Sequence, residues 1–194
     1  AHRAIAWHMA LLTRDDCAAD SEDLSFLWWD DGYQVYGYGD SVFVDGFGAL
    51  VERLAEGLDV RFGHAVRRIE HGGSFGIPPL VQTDRGEFEA DAVIVTLPLG
   101  VLKAGSVAFD PPLPPRKREA IARLGMGALA KVILHYDKPF WPVHQYVFGV
   151  HGERVADRPT VVINAMRTHH APALVLLAGG SLARCVEGWN EEEV

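Results

Sequence analysis

Prolines hold four of the five positions from 111 to 115, and nothing else in the chain constrains its fold so strongly. Proline fixes φ and lacks an N–H, and it pushes the preceding residue out of the helical region. This segment must therefore run extended, without a regular ladder. Ordered apolar sequence lies on both sides. Ala92, Val93, Ile94 and Val95 form a short β-rich run, expected as a strand buried on both faces and broken by Pro98 and Gly100. Pro115 suits a first helical position, with Ala120, Ile121 and Leu124 following on one face and Gly125 and Gly127 as terminators. A second strand is predicted over 129–136, where Lys131 shares a face with Leu129 and Ile133. A lysine among such neighbours must escape to an edge, find a partner or shift its pKa; an edge or snorkelling lysine is the plainest reading.

The rest of the chain alternates helical and strand patterns. A helix is expected over 1–14, with Ile5, Met9 and Leu12 on one stripe, then a polar connection and an aromatic run over 24–29. The segment 33–38 reads as irregular and 42–44 as a short strand. Asp45 is placed to cap a helix whose stripe is Phe47, Leu50, Val51, Leu54 and Leu58, with Gly57 at its end. Strands are predicted over 60–62 and 66–71, with a turn at Gly72-Gly73. A hairpin joins 80–83 to 87–90 through Asp84-Arg85-Gly86, and its second arm leads into 92–95, so that 60–97 forms a meander. Further strands are expected over 146–150, 160–164 and 173–178, then a helix over 182–187. The pattern is α+β (mixed α/β), a mixed sheet flanked by helices. Both ends read as cut. The chain opens inside a helix, and Asn190 with Glu193 forms a capping-box-like helix start just before the last residue, so a piece of a longer protein is expected.

A chain of 194 residues can bury one good core or two small ones. The formal net charge of −8 argues against nucleic acid as a main ligand and suits steering of a cationic substrate, although a solvated acidic surface is the simpler account. Only four of the 18 basic residues are lysines, Lys103, Lys117, Lys131 and Lys138, which makes each easier to weigh. Cys17 and Cys185 lie far apart, so no disulfide framework is expected and an intracellular setting is favoured. No apolar run reaches the ~18 residues that would span a bilayer, and no membrane partner is expected.

Short motifs carry little. Gly46-Phe47-Gly48 sits between a strand and a helix as in a dinucleotide fingerprint, but Val51 stands where close packing needs a small residue. Gly179-Gly180-Ser181-Leu182-Ala183 falls one residue short of a nucleophile elbow, and no histidine follows Ser181 to complete a hydrolase triad. His169 and His170 are adjacent and lack the spacing of a metal pair, so no metal is expected. Trp28-Trp29 and Phe140-Trp141 are cavity-wall or core aromatics.

The longer pattern is more specific. The run Asp91-Ala92-Val93-Ile94-Val95-Thr96-Leu97-Pro98-Leu99-Gly100-Val101-Leu102-Lys103 is followed by Phe109-Asp110-Pro111-Pro112-Leu113-Pro114, Lys117, Leu124-Gly125-Met126-Gly127, Lys131-Val132 and Phe140-Trp141. In order and spacing this resembles the flavin-containing amine oxidases, in the branch of polyamine oxidases and lysine-specific histone demethylases. Gly46-Phe47, 54–60 and 66–69 extend the likeness upstream, and Leu174-Val175, Gly179, Ala183 and Glu187 more loosely downstream.

The resemblance implies FAD as cofactor and an amine substrate, with a polyamine favoured. Hydride would leave the carbon beside the substrate nitrogen, and the products would be imine or aldehyde and hydrogen peroxide. It places Lys131, in a G-x-x-x-K-V strand, near the flavin as the catalytic lysine. It places Val66, Thr96, Leu97 and Pro98 along the cofactor through their backbones, and Trp141 on the substrate-side wall. Ala130 stands where many members have Asn.

The implied organisation is a first part of the substrate-binding domain over 1–59, a meander and strand of the FAD-binding domain over 60–103, and the rest of the substrate-binding domain over 104–194. The glycine-rich opening and the closing segment of full-length members are not in this sequence, so the chain alone is expected to hold FAD weakly or not at all and to be inactive. The contrasting expectation is a scaffold or interaction domain that keeps this fold without flavin chemistry.

Overall fold

The computed structural model describes residues 2–29, 31, 37, 41–71, 77–150 and 161–189. In chain order, α1 spans His2–Ala10 and runs into a π-helical turn, Leu11–Asp15, with a 3-10 turn at Ser21–Asp23. Helix α2 is Gly48–Ala55. Strands β1 (Val66–Glu70), β2 (Leu80–Thr83) and β3 (Gly86–Glu89) precede α3 (Leu99–Ala104), β4 (Ala108–Asp110) and α4 (Pro115–Arg123). Strands β5 (Leu129–His135), β6 (Val147–Gly149), β7 (Val161–Asn164) and β8 (Ala173–Gly179) and helix α5 (Gly180–Val186) complete the set. The irregular stretch at 33–38 apart from Gly37, the Gly72-Gly73 turn and the Asn190 cap lie outside the described residues. The chain divides into two units, Ala1–Leu54 with Gly127–Val194, and Ala55–Met126.

The first unit is built on an antiparallel sheet of order β5-β8-β7-β6. Strands β7 and β8 are continuous apolar runs, so both of their faces need cover, and their burial follows. Val161, Val162, Ala173 and Ala178 join Leu182 and Ala183 of α5 in the core. At the end of β8 backbones meet closely. A Cβ on Gly179 would lie 1.9 Å from the Arg14 carbonyl oxygen, so only glycine lets the π-helical turn cross there. Thr13 Oγ1 donates to the Met9 carbonyl oxygen at 2.8 Å, a back-bond that favours departure from regular α-helix where α1 ends.

The second unit carries a sheet of order β3-β2-β1-β4, in which β4 joins β1 in parallel and the rest is antiparallel. The β2–β3 hairpin turns at Gly86, whose φ of +143° suits glycine alone. Helix α4 starts at Pro115 and ends before Leu124, as the proline and glycine punctuation predicts.

Several expectations fail here. Residues 92–95 form no strand, and Ile94 is 88% exposed. An apolar extended run becomes a strand only where a neighbour supplies hydrogen bonds, and among the described residues none pairs with it. Residues 42–44 and 60–62 likewise lack ladder partners. Helix α2 begins three residues beyond Asp45, so Asp45 is not its cap. The break at Pro98 and Gly100 is instead the entry to α3: Pro98 occupies the N-cap, and its carbonyl accepts from the Val101 and Leu102 amides.

Candidate active site

Lys131 is the third residue of β5, which among the described residues pairs with β8 alone and so is an edge strand. Alternation puts Leu129, Lys131 and Ile133 on one exposed face, here called the front, while Ala130, Val132 and Leu134 turn to the half-buried rear. Cross-strand register extends the front face. Lys131 stands opposite Leu177, and Ile133, Val175, Ile163 and Val147 form one row across all four strands.

The front face is roofed unevenly. At the β6 end, Trp7 of α1 covers Gly149, where an added Cβ would come within 3.0 Å of the indole. At the end of β8 the π-helical turn crosses Gly179. Over β5 it is open: Leu129 is 49% and Ile133 54% exposed. No carboxylate forms an ion pair with Lys131 among the described residues. The lysine has thus escaped to an edge, a single cation on a bare apolar strip.

Trp141 follows β5 in an aromatic group with Tyr136 and Phe140, ring centroids 5.0–5.3 Å apart and all edge-on. Its indole Nε1 donates to Asn164 Oδ1 at 2.9 Å. Asn164 pairs with Leu174, and Leu174 with Leu134, so the asparagine projects from the rear face. The structure brings Lys131 and Trp141 into one unit but roots the Trp141 hydrogen bond on the side of the sheet away from the lysine. Asn164 was not singled out from the sequence. It is fully buried, it also accepts from the Met166 amide at 3.1 Å, and its Nδ2 reaches the carbonyls of Gln145 (2.7 Å), Val143 (3.2 Å) and Pro142 (3.5 Å).

The other cofactor-side expectations fall in the second unit. Val66 opens β1 opposite Thr83, beside an irregularity in register before Arg68. Thr96, Leu97 and Pro98 form the extended lead into α3, with Thr96 exposed and Leu97 half-buried. None of these four lines the cavity of about 480 Å³ that Leu102, Val107, Phe109, Leu113 and Ile121 share with Arg118.

The motifs set aside from sequence also find places. Ser181 donates its backbone N–H to Asp20 Oδ2 (2.9 Å) and its Oγ to Oδ1 (3.0 Å), so Asp20 caps α5 and occupies the serine. Cys17 and Cys185 are both free; burial and the neighbouring Asp16 carboxylate push the Cys17 thiol up, away from the reactive thiolate. Among the described residues no group of His, Cys, Asp and Glu is arranged to hold a metal ion, and no helix is long and apolar enough to cross a membrane.

Comparison with known proteins gives a consistent result. The family model for flavin-containing amine oxidoreductases matches residues 2–193. Polyamine oxidase 2 of Arabidopsis thaliana is 36% identical over 193 residues, covering 99% of this chain and 38% of that protein. Lysine-specific histone demethylase 1 homolog 1 of Oryza sativa subsp. japonica is 42% identical over 146 residues, covering 74% of this chain and 16% of that protein. The solved structure of wild-type putrescine oxidase bound to putrescine matches with a TM-score of 0.62 at 24% identity, over 77% of this chain and 32% of its own, a likeness of fold. The chain thus spans well under half the length of these relatives.

Proposed function

This chain belongs to the flavin-containing amine oxidoreductase family, and we propose that it forms the central part of an FAD-dependent oxidase of a polyamine or related amine. The observation that carries the reading is Lys131, without an ion-pair partner among the described residues, on the open apolar front of β5. The residues present fit a flavin. A flat strip formed by Leu129 and Ile133 matches the apolar face of the ring system, and one ammonium matches its acceptor-bearing edge. Bound FAD would supply the two-electron oxidation of the carbon beside the substrate nitrogen, with oxygen as final acceptor and hydrogen peroxide as product.

The chain's own part is positional and acid–base. Lys131 Nζ has three donors and, among the described residues, no carboxylate paired with them, so it can hold a water. A water held there would attack the carbon of the imine product, giving aldehyde and released amine. Leu129, Ile133 and Leu177 are the apolar neighbours of Lys131 on this face and would limit bulk solvent around it only once a cofactor covers the strip. We assign Val66, Thr96, Leu97 and Pro98 to backbone contacts along the cofactor, which suits side chains that, threonine apart, have no donor to offer. The net charge of −8 favours a cationic amine.

The test is an absorbance spectrum of the full-length protein that carries this chain, followed by peroxide detection on adding spermine, N-acetylspermine or putrescine. Flavin bands and amine-dependent peroxide support the reading. A colourless protein that FAD does not reconstitute would favour a scaffold role. The 194-residue chain alone is expected to bind FAD weakly and to release no peroxide.

A further inference from the structure

The front of the first sheet carries Lys131, while its rear carries the densest polar knot among the described residues. Asn164 is wholly desolvated, yet its amide oxygen accepts twice and its amide nitrogen faces three carbonyls. A buried amide that loses a partner pays the full desolvation of the group left behind, so this knot resists small displacements. It joins three pieces of chain: Trp141 after β5, the 142–146 loop that enters β6, and the last residue of β7. The Asn164 backbone is fixed as well, its N–H donating to the Tyr146 carbonyl at 2.9 Å.

The residue before Asn164 is Ile163, which alternation turns to the front. There it lies in the row Ile133, Val175, Ile163, Val147, one step along the strand from Lys131. Rotating the strand at residue 164 moves residue 163 at the front in the opposite sense, and sliding it carries residue 163 along with it. We infer that Asn164 is a positioning residue of the proposed oxidase: through Trp141 and the 142–146 loop it fixes Ile163 on the substrate face. Trp141 then acts on specificity from behind the sheet and touches no substrate. This rests on the reading that the Lys131 face is the substrate face.

The test uses the flavin-loaded full-length enzyme. Trp141→Phe removes one of the two donors to Asn164 Oδ1, leaves the Met166 amide in place and keeps an aromatic ring. It is expected to shift the ratio of kcat/KM for putrescine over spermine by about threefold, while turnover still depends on Lys131. Ile163→Val is expected to shift the same ratio, and the double variant to shift it by less than the product of the two. Independently of activity, the Trp141 indole N–H, followed in ¹⁵N-tryptophan-labelled protein and assigned by its loss in Trp141→Phe, should exchange with solvent more slowly than that of exposed Trp28. An unmoved ratio in a folded Trp141→Phe enzyme, fully multiplicative shifts in the double variant, or Trp141 exchange as fast as Trp28 would each overturn the inference. A Lys131→Met enzyme with undiminished turnover removes the substrate-face reading and this inference with it. Intact Lys131 dependence with an unmoved ratio removes this inference alone.

Discussion

The sheet β5-β8-β7-β6 and the sheet β3-β2-β1-β4 each have four strands, yet their interiors differ. Val161, Val162, Ala173 and Ala178 are buried in the first, with Leu182 and Ala183 packed at its end, whereas Ile69 is the one buried apolar residue in the second unit among those described. The cause is in the strands. β7 and β8 are apolar on both faces and have α5 and the π-helical turn to cover them. β1 and β3 interleave charges, with Arg67, Arg68 and Glu70 in one and Glu87 and Glu89 in the other. What secures the second sheet is its ladder and a surface network in which Arg68 reaches both Glu70 and Asp110. The role proposed for Lys131 needs a rigid frame and an open approach, and of the two sheets the first has both the larger buried core and an exposed strand face.

The comparison breaks first on function. Lys131→Met keeps a long side chain and removes the ammonium from an exposed position, so folding should be nearly unaffected. Amine turnover by the flavin-loaded enzyme should fall by about 100-fold or more if the lysine handles the water. A variant that turns over normally would reduce β5 to an ordinary edge strand blunted by a lysine.

Stability sharpens the contrast next. Gly179→Ala places a methyl against the Arg14 carbonyl, which is backbone and cannot swing aside, so the first unit should lose about 3 kcal/mol in urea unfolding. Ile69→Ala should cost about 2 kcal/mol, at the low end for a buried isoleucine, because few elements close over it. If Ile69→Ala proved the more damaging of the two, the second unit would hold a tighter core than its exposure indicates.

What the sequence disclosed follows the same division between local and distant causes. β5, β8, α4 and the Gly86 hairpin are written in periodicity, apolar runs and turn residues within a few positions, and they appear where those signals put them. The oddity of Lys131 was legible because a strand face is a local pattern. β4 was not, since three residues become a strand only by pairing with β1 some forty residues earlier. The apolar run at 92–95 shows the converse: composition promised a buried strand, and among the described residues no strand pairs with it. Asn164 was invisible because its partners at Trp141 to Gln145 lie about twenty residues back, and an asparagine ending an apolar strand does not say what it will bind.

The smallest effect concerns the polar surface of the second unit, where electrostatics can be separated from packing. Arg61 donates to Asp59 Oδ2 through Nη2 at 2.7 Å and through Nε at 2.9 Å, and it also lies over the Phe88 ring. That hydrogen bond, then the charge of Arg61, holds the Asp59 carboxyl below its ordinary value. In the unfolded chain the same carboxyl returns to about 3.9, so between the two values the unfolded state binds more protons and stability rises with pH. The contribution is therefore complete above the ordinary carboxylate pKa and is lost as pH falls through the lowered one. Both groups are solvent-exposed, so screening keeps the effect small. The stability gap between wild type and Asp59→Asn should be widest near neutral pH at low salt, close as the solution is acidified below the carboxylate range, and shrink in molar salt. A gap that stayed constant with pH and salt would mean that Asp59 acts through the shape of its turn rather than its charge.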